Sequence, residues 1–165
     1  ERKPSVASDV LMYDPLFEIV LLRPEIPHNA GAVGRTCVAI GARLWMVRPL
    51  GFQVDDRYLK RSGLDYWPHL LHEIADEWDV LVARLPDRRF WFFSKTAKQE
   101  YTDAQFSKGD VLVFGSESQG LPASLLEANA DRALRIPIRE QTRSLNLSVS
   151  VGIVAFEARR QVVTG

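Results

Sequence analysis

The sequence predicts an α/β fold built on one mostly parallel sheet with helices on both faces. Two observations carry that expectation. Short apolar runs at FEIVLL (17–22), LWMV (44–47), FWFF (90–93) and VLVF (111–114) have the length and composition of buried strands. Between the first two runs, apolar residues recur at helical spacing, so strand, helix and strand follow in close succession. Such a unit implies parallel strands joined by a right-handed crossover, with helices layered on the sheet.

Taken in order, residues 1–16 are polar, contain Pro4 and Pro15 and lack periodicity, and read as a flexible extension. The single domain then spans 17–165. A Pro-bracketed loop over 23–28 follows the first strand, Asn29 is placed to cap a helix over 30–40, and Gly41 stops it. Beyond the second strand, Pro49, Leu50 and Gly51 turn the chain into a charged segment, 55–61, read as a short helix. GLDYWP (63–68) reads as a loop whose Tyr66 and Trp67 are free to be exposed. Residues 73–85 carry weak helical periodicity through Ile74, Trp78, Leu81 and Val82, and 95–110 read as loop. A loop over 115–122 leads to a helix over 123–128.

The last part of the chain is the most patterned. Leu134, Ile136 and Ile138 alternate with Arg135, Pro137 and Arg139, and Pro137 confines that strand to an edge or ends it. A polar cluster of Gln141, Thr142, Arg143, Ser144 and Asn146 follows. Leu147, Val151, Val154, Ala155 and Ala158 then mark a helix with Ser148 as its N-cap.

Composition narrows the function. A chain of 165 residues, 46% apolar and 25% charged, suits one domain with a sizeable core. Twenty-one basic and twenty-one acidic residues cancel, so a nucleic-acid contact has to come from a local patch. The lone Cys37 permits no internal disulfide, and no Cys/His spacing suits a metal. With neither a bilayer-length apolar run nor a signal-peptide core, the expected compartment is the cytoplasm.

Three loops follow predicted strands, where parallel sheets bind ligands. The first holds Gly31 and Gly34 in a G-x-x-G spacing, which by itself favours close helix packing over phosphate binding. Arg35 lies in the same otherwise apolar helix, beside Val33, Cys37, Val38 and Ile40, and needs a partner there. The second, GSESQGLP (115–122), is a near miss of the G-x-S-x-G nucleophile elbow around Ser118; a hydrolase would recruit His28, His69 or His72 as base. The third, 141–146, is either a set of capping residues or a donor-rich ligand loop.

Together the segments PEIPHNAGAVGR, LGFQVDDRYLKRSGLDY, FGSESQGLPASLL, RIPI and RSLNLSVSVGIVAFEARRQ resemble the SPOUT superfamily of RNA methyltransferases. The likeness covers nearly the whole chain after Phe17 and is greatest to the small branch that 2′-O-methylates the wobble ribose of tRNA, cytidine or modified uridine. It implies a deep C-terminal trefoil knot and bent S-adenosylmethionine held by Phe92, Gly115, Ile136, Ser144 and Leu145. Asn29 and Arg35 match the first motif, Glu117 the second, Ser144 and Asn146 the third; Arg35 is the catalytic candidate. Asn29, Glu117, Asn146, Arg57, Lys60 and Arg61 are candidates for substrate RNA, with Arg23, Arg48 and Arg139 as further loop cations. Tyr66 and Trp67 would stack on a splayed anticodon base or pack on a partner subunit. Phe156 replaces a tyrosine of close relatives and Val149 an asparagine. The resemblance also implies a homodimer acting on the tRNA anticodon arm. The competing readings are a methyltransferase for another RNA such as rRNA, a non-catalytic RNA-binding module, and a serine hydrolase.

Overall fold

The computed structural model describes residues 12–55 and 65–164. Its centre is a seven-stranded, wholly parallel sheet in the order β3-β2-β1-β6-β4-β7-β5. The strands are β1 (Glu18–Leu22), β2 (Arg43–Val47), β3 (His72–Ala75), β4 (Phe90–Phe93), β5 (Gln99–Glu100), β6 (Val111–Phe114) and β7 (Ala133–Arg135). Among the described residues four helices cover it: α1 (Pro27–Ile40), α2 (Trp78–Arg84), α3 (Ala123–Ala128) and α4 (Leu147–Thr164).

Strand alternation divides the core in two. Ile19, Leu21, Leu44, Met46, Leu112 and Phe114 face α1 and α4, meeting Val33, Cys37, Val151, Val154 and Ala158. Val20, Leu22, Trp45, Val47, Val111 and Val113 face α2 and α3, meeting Leu81, Leu85 and Leu121. β1 and β6 are buried along their whole length, as central strands of a parallel sheet must be. Gly41 ends α1 in the left-handed conformation, φ 76°. No described helix is long and apolar enough to cross a membrane.

At the amino-terminal edge of the sheet one device occurs twice. Fully buried Glu18, first residue of β1, accepts three bonds from Arg43 and one from the Trp45 indole N–H at 3.0 Å. Asp110, just before β6, accepts from Arg89 at 2.9 and 3.2 Å and from the Trp91 indole N–H at 2.9 Å. Each arginine and tryptophan stand two apart, in RLW (43–45) and RFW (89–91), so both reach the same face. A second guanidinium covers each indole, Arg84 on Trp45 at 4.7 Å and Arg132 on Trp91 at 4.8 Å. Trp45 belongs to one half of the core and Trp91 to the other, so each face of the sheet carries one clamp.

Several expectations are corrected. The helix expected over 73–85 is a strand, β3, followed by the short α2; β3 extends the sheet beside β2, and pairing outweighs weak periodicity. The loop read over 95–110 contains β5, which pairs with β7, and two buried anchors, Ala104 and Phe106. Gln161 of α4 holds that stretch by donating to the Ala104 carbonyl and accepting from the Phe106 N–H. β7 stops at Arg135, ahead of Ile136 and Ile138. Part of the expected flexible extension is docked: the Leu16 N–H donates to Gly41 and the Tyr13 hydroxyl to Ala42. The helix expected over 55–61 falls largely outside the described residues, and so do Arg57, Lys60 and Arg61.

Replacing Glu18 with Gln should strand the Arg43 guanidinium and lower unfolding free energy by about 3 kcal/mol in a urea titration. Asp65→Asn, at an exposed ion pair with Arg35, should change it by less than about 0.5 kcal/mol. Equal effects would remove the clamp from its structural role.

Candidate functional site

Because all seven strands run the same way, the loops after β1, β2, β4, β6 and β7 emerge at one edge of the sheet. β6, β4 and β7 are neighbours, so Gly115, Ser94 and Ile136, each the first residue past its strand, stand side by side. Gly115 and Ile136 are two of the residues expected to contact the cofactor. Phe92 does not reach the edge: it is buried beneath α2, its ring 6.0 Å from Trp78 and 6.3 Å from Phe90. Ser94 holds the position at the end of β4, its N–H donating to Leu134 and its hydroxyl paired with Thr96. The sequence reads this strand as 90–93, as the structure has it, but the resemblance puts the contact on Phe92, one residue inside its end, and so passes over Ser94.

Gly115 is needed by its own loop. A Cβ there would stand 2.1 Å from the Gly120 carbonyl carbon and 2.2 Å from the Leu121 nitrogen. The turn closes through the Gly120 N–H on Ser116 and has Gly120 at φ 66°. Substituting Gly115 therefore disturbs the turn whether or not a ligand is bound.

The turn presents Glu117 to the start of α1. That helix opens with Pro27 and has no cap of its own. The Glu117 carboxylate supplies it, accepting from the Glu25 N–H at 2.9 Å and the Ile26 N–H at 2.7 Å, where the helix dipole also favours negative charge. Glu25 answers in the other direction, accepting from the Ser118 hydroxyl at 2.5 Å and the Ser118 N–H at 3.1 Å. Those bonds, the hydroxyl's first, hold the Glu25 carboxyl below its ordinary range. Ser118 is thus committed to a carboxylate and makes no hydrogen bond to a histidine among the described residues, which disposes of the nucleophile-elbow reading.

Asn29, buried in the first turn of α1, extends the connection. Its amide donates to Glu117 at 3.2 Å and its oxygen accepts from Asn146 at 3.1 Å. Asn146 in turn caps α4, accepting from the Ser148 N–H at 2.9 Å and the Ser148 hydroxyl. Two expected caps are therefore reassigned. Asn29 lies inside α1, which starts at Pro27, and the cap of α4 is Asn146, two residues before Ser148. The chain Glu117–Asn29–Asn146 ties three loops together, and its side-chain groups are occupied by one another.

Arg35 departs from expectation in the opposite sense. The buried stripe of α1 runs Ala30, Val33, Gly34, Cys37, Ile40, and Arg35 points away from it. Its side chain is 66% exposed, 3.8 Å from Asp65 and 5.0 Å above the Tyr66 ring. Tyr66 is buried, its hydroxyl donating to the Gly31 carbonyl, and burial pushes its pKa up to about 12. It cannot stack on RNA; it is the platform under Arg35. Gly34 allows this, since a Cβ there would lie 3.1 Å from Leu70 and 3.3 Å from Tyr66. Trp67 is half-buried against His72, ring centroids 4.6 Å apart.

The loop over 139–145 is exposed throughout except Leu145, and Lys95 pins it by donating to the Arg143 carbonyl at 3.2 Å. Ser144 is exposed and Leu145 partly buried. Among the other loop cations, Arg48 pairs with Asp76 at 3.1 Å, while Arg23 and Arg139 are exposed. An apolar Ile136, a turn too tight for a Cβ at Gly115 and a hydroxyl-rich loop suit a purine nucleoside bearing a polar tail, as S-adenosylmethionine does. No cluster able to hold a metal occurs among the described residues.

The profile of the SpoU rRNA Methylase family matches residues 16–156. The chain is 44% identical over 149 residues to the tRNA (cytidine(34)-2'-O)-methyltransferase of Burkholderia cenocepacia, covering 88% of this chain and 96% of that one. A solved structure described under 2-OH methylation of C/U34 on tRNA superposes with a TM-score of 0.84 at 44% identity, covering 90% of this chain and 97% of the other. An AdoMet-bound rRNA methyltransferase from Sinorhizobium meliloti superposes with a TM-score of 0.77 at 27% identity, over 90% of this chain and 60% of that one.

Replacing Glu117 with Gln should raise hydrogen exchange at the Glu25 and Ile26 amides by at least about tenfold, since each loses an ionised acceptor. The Glu25–Ser118 half of the latch has a depressed carboxyl, so it is intact above the ordinary value of 4.5 and is lost as pH falls through the folded value. The protection factor of the Ser118 amide, its exchange relative to the intrinsic rate at each pH, should therefore fall in acid. Unchanged exchange at all three amides would show that the loops are joined by something else.

Proposed function

Since the chain belongs to the SpoU rRNA methylase family, we propose that it methylates the ribose 2′-hydroxyl of the wobble nucleotide, cytidine or modified uridine, in the tRNA anticodon loop. One observation carries the reading: in a chain 44% identical to a relative of that name, Glu117, Asn29 and Asn146 bond three loops into one site at the carboxyl edge of the sheet.

S-adenosylmethionine supplies the methyl group and its own leaving group. The backbone at Gly115 and Ile136, with Ser94, Ser144 and Leu145, would hold its nucleoside end. The residues of this chain then have three tasks: to fix the loops, to orient the ribose, and to meet the charge that develops on its oxygen. The Glu117–Asn29–Asn146 chain performs the first, and its occupied groups support positioning in place of direct RNA contact. Arg35 serves the others. A guanidinium is a poor base, so it acts as a cation on the developing alkoxide and as a fork on the adjacent phosphate. Its exposure and its seat on Tyr66 leave it free to do so.

We further infer a trefoil knot and a homodimer. Supporting the knot, β7 enters between β4 and β5, and the chain then returns to lay α4 against α1. Supporting the dimer, Val149, Phe156 and Val163 lie seven apart on one exposed stripe of α4, and a Cβ at Gly152 would meet open space. The second copy is the occupant proposed for that stripe. Such an enzyme, comprising 17–165 as one catalytic domain, would work in the cytoplasm on transfer RNA.

Calorimetry should find saturable S-adenosylmethionine binding, and methyl transfer should favour bulk tRNA over ribosomal RNA, with the label on the wobble ribose. Arg35→Ala and Arg35→Lys should each lower turnover at least about a hundredfold, roughly 2.7 kcal/mol, with cofactor affinity unchanged. Methylation of rRNA alone would move the substrate to another branch, and absence of cofactor binding would refute the enzyme reading.

Phe156→Glu should convert the dimer to a monomer in sedimentation equilibrium, with loss of methyl transfer. A wild-type monomer active at assay concentration would refute the shared site.

A further inference from the structure

The edge of the sheet opposite these loops contains a cavity of about 410 Å³, within the range of small-molecule sites. It opens between α2 and α3 over the start of β4. Its lining holds three guanidiniums, those of Arg88, Arg89 and Arg132, and no carboxylate. Trp78 and Phe90 form an aromatic wall, ring centroids 5.9 Å apart and edge-on.

The bonds already made decide which groups remain for a ligand. Arg89 is committed to Asp110. Arg88 donates to the Gly109 carbonyl and stands 3.8 Å from Glu18, whose oxygens already serve Arg43 and Trp45. The Arg132 guanidinium covers the face of Trp91 and, among the described residues, has neither a hydrogen bond nor an ion pair. The Trp78 indole N–H likewise has no acceptor among the described residues, in contrast with those of Trp45 and Trp91. The amide of Asn129 donates to the Leu125 carbonyl, leaving its oxygen open. Asp87 and Asp131, next in sequence to Arg88 and Arg132, are exposed and outside the lining.

A permanently charged planar fork selects phosphate or carboxylate, and an aromatic wall selects a flat ring. An open amide oxygen suits an exocyclic amino group. We infer that this cavity binds a single nucleotide, its base against Trp78 and Phe90 and its phosphate on Arg132 and Arg88. The chemistry is the same for a free nucleoside monophosphate and for a nucleotide turned out of an RNA strand. The inference stands on the lining alone and is independent of methyl transfer.

The test uses the whole chain and the indole N–H signals of its tryptophans in NMR. Titration with cytidine, uridine, adenosine and guanosine 5′-monophosphates should shift the Trp78 signal saturably, and the unphosphorylated nucleosides should bind at least about tenfold more weakly. Arg132→Gln should cost a similar factor, and Val82→Trp, which fills the mouth from an exposed position, should abolish the shift. Both variants should remain folded, with unchanged S-adenosylmethionine affinity, Arg132→Gln losing only its contact with the Trp91 ring. A shift from mononucleotides identifies a free ligand; a shift only from a short single-stranded RNA identifies a strand. No saturable shift with either, or a shift unchanged in both variants, overturns the inference. So does a shift removed by saturating S-adenosylmethionine, because the nucleotide would then be competing at the other edge.

Discussion

The carboxylate of Glu117 is the contact on which the site depends. α1 begins with a proline and brings no capping side chain, so its first amides need an acceptor from elsewhere. Glu117 holds the entry to the helix by accepting from the Glu25 and Ile26 amides just before it, from a turn about ninety residues further on, and Asn29 relays its position to the cap of α4. One ionised group thereby sets the entry of two helices and the shape of one loop. Its half-buried setting keeps each bond modest, but several amides converge on it, and an amide left without an acceptor costs more than a bond gains.

The opposite edge of the sheet is organised by a different balance. Glu18 and Asp110 are buried carboxylates, tolerable because each receives an arginine and an indole donor together. They set the register of β1 with β2 and of β6 with β4 at the end where the strands begin. With that end held, the loops at the other end can be shaped by ligand demands. The pairs also explain why charged residues here leave surplus cations at the lower rim: each carboxylate serves one arginine closely, and further guanidiniums gather on the indole faces.

Arg35 shows how a correct residue can be reached by an incorrect route. Its position in an apolar helix suggested an arginine trapped near the core. The structure turns it to solvent, seated on Tyr66, and a cation held by a ring and a distant carboxylate remains available to a phosphate. Tyr66 moves the other way, from a supposed RNA contact to a buried support, because Gly34 leaves room for its ring. Both residues were placed near the site by the chain; their division of labour was not.

By itself the sequence determined the α/β class, the four strands β1, β2, β4 and β6, the end of α1 at Gly41 and the three loops that meet at one edge. These follow from local pattern: apolar runs, helical spacing and a glycine stop are legible within a few residues. The family motifs were legible for the same reason. Tertiary structure alone decided that 72–75 is a strand, that Asn146 rather than Ser148 caps α4, that Phe92 is core and Ser94 stands at the edge, and that Asn29 and Glu117 hold each other. Each of those outcomes depends on a partner distant in the chain: β2 beside β3, Asn29 beside Asn146, α2 over Phe92. A short element with weak periodicity takes the state its neighbours can pair with, and a polar side chain takes the acceptor that folding brings within reach.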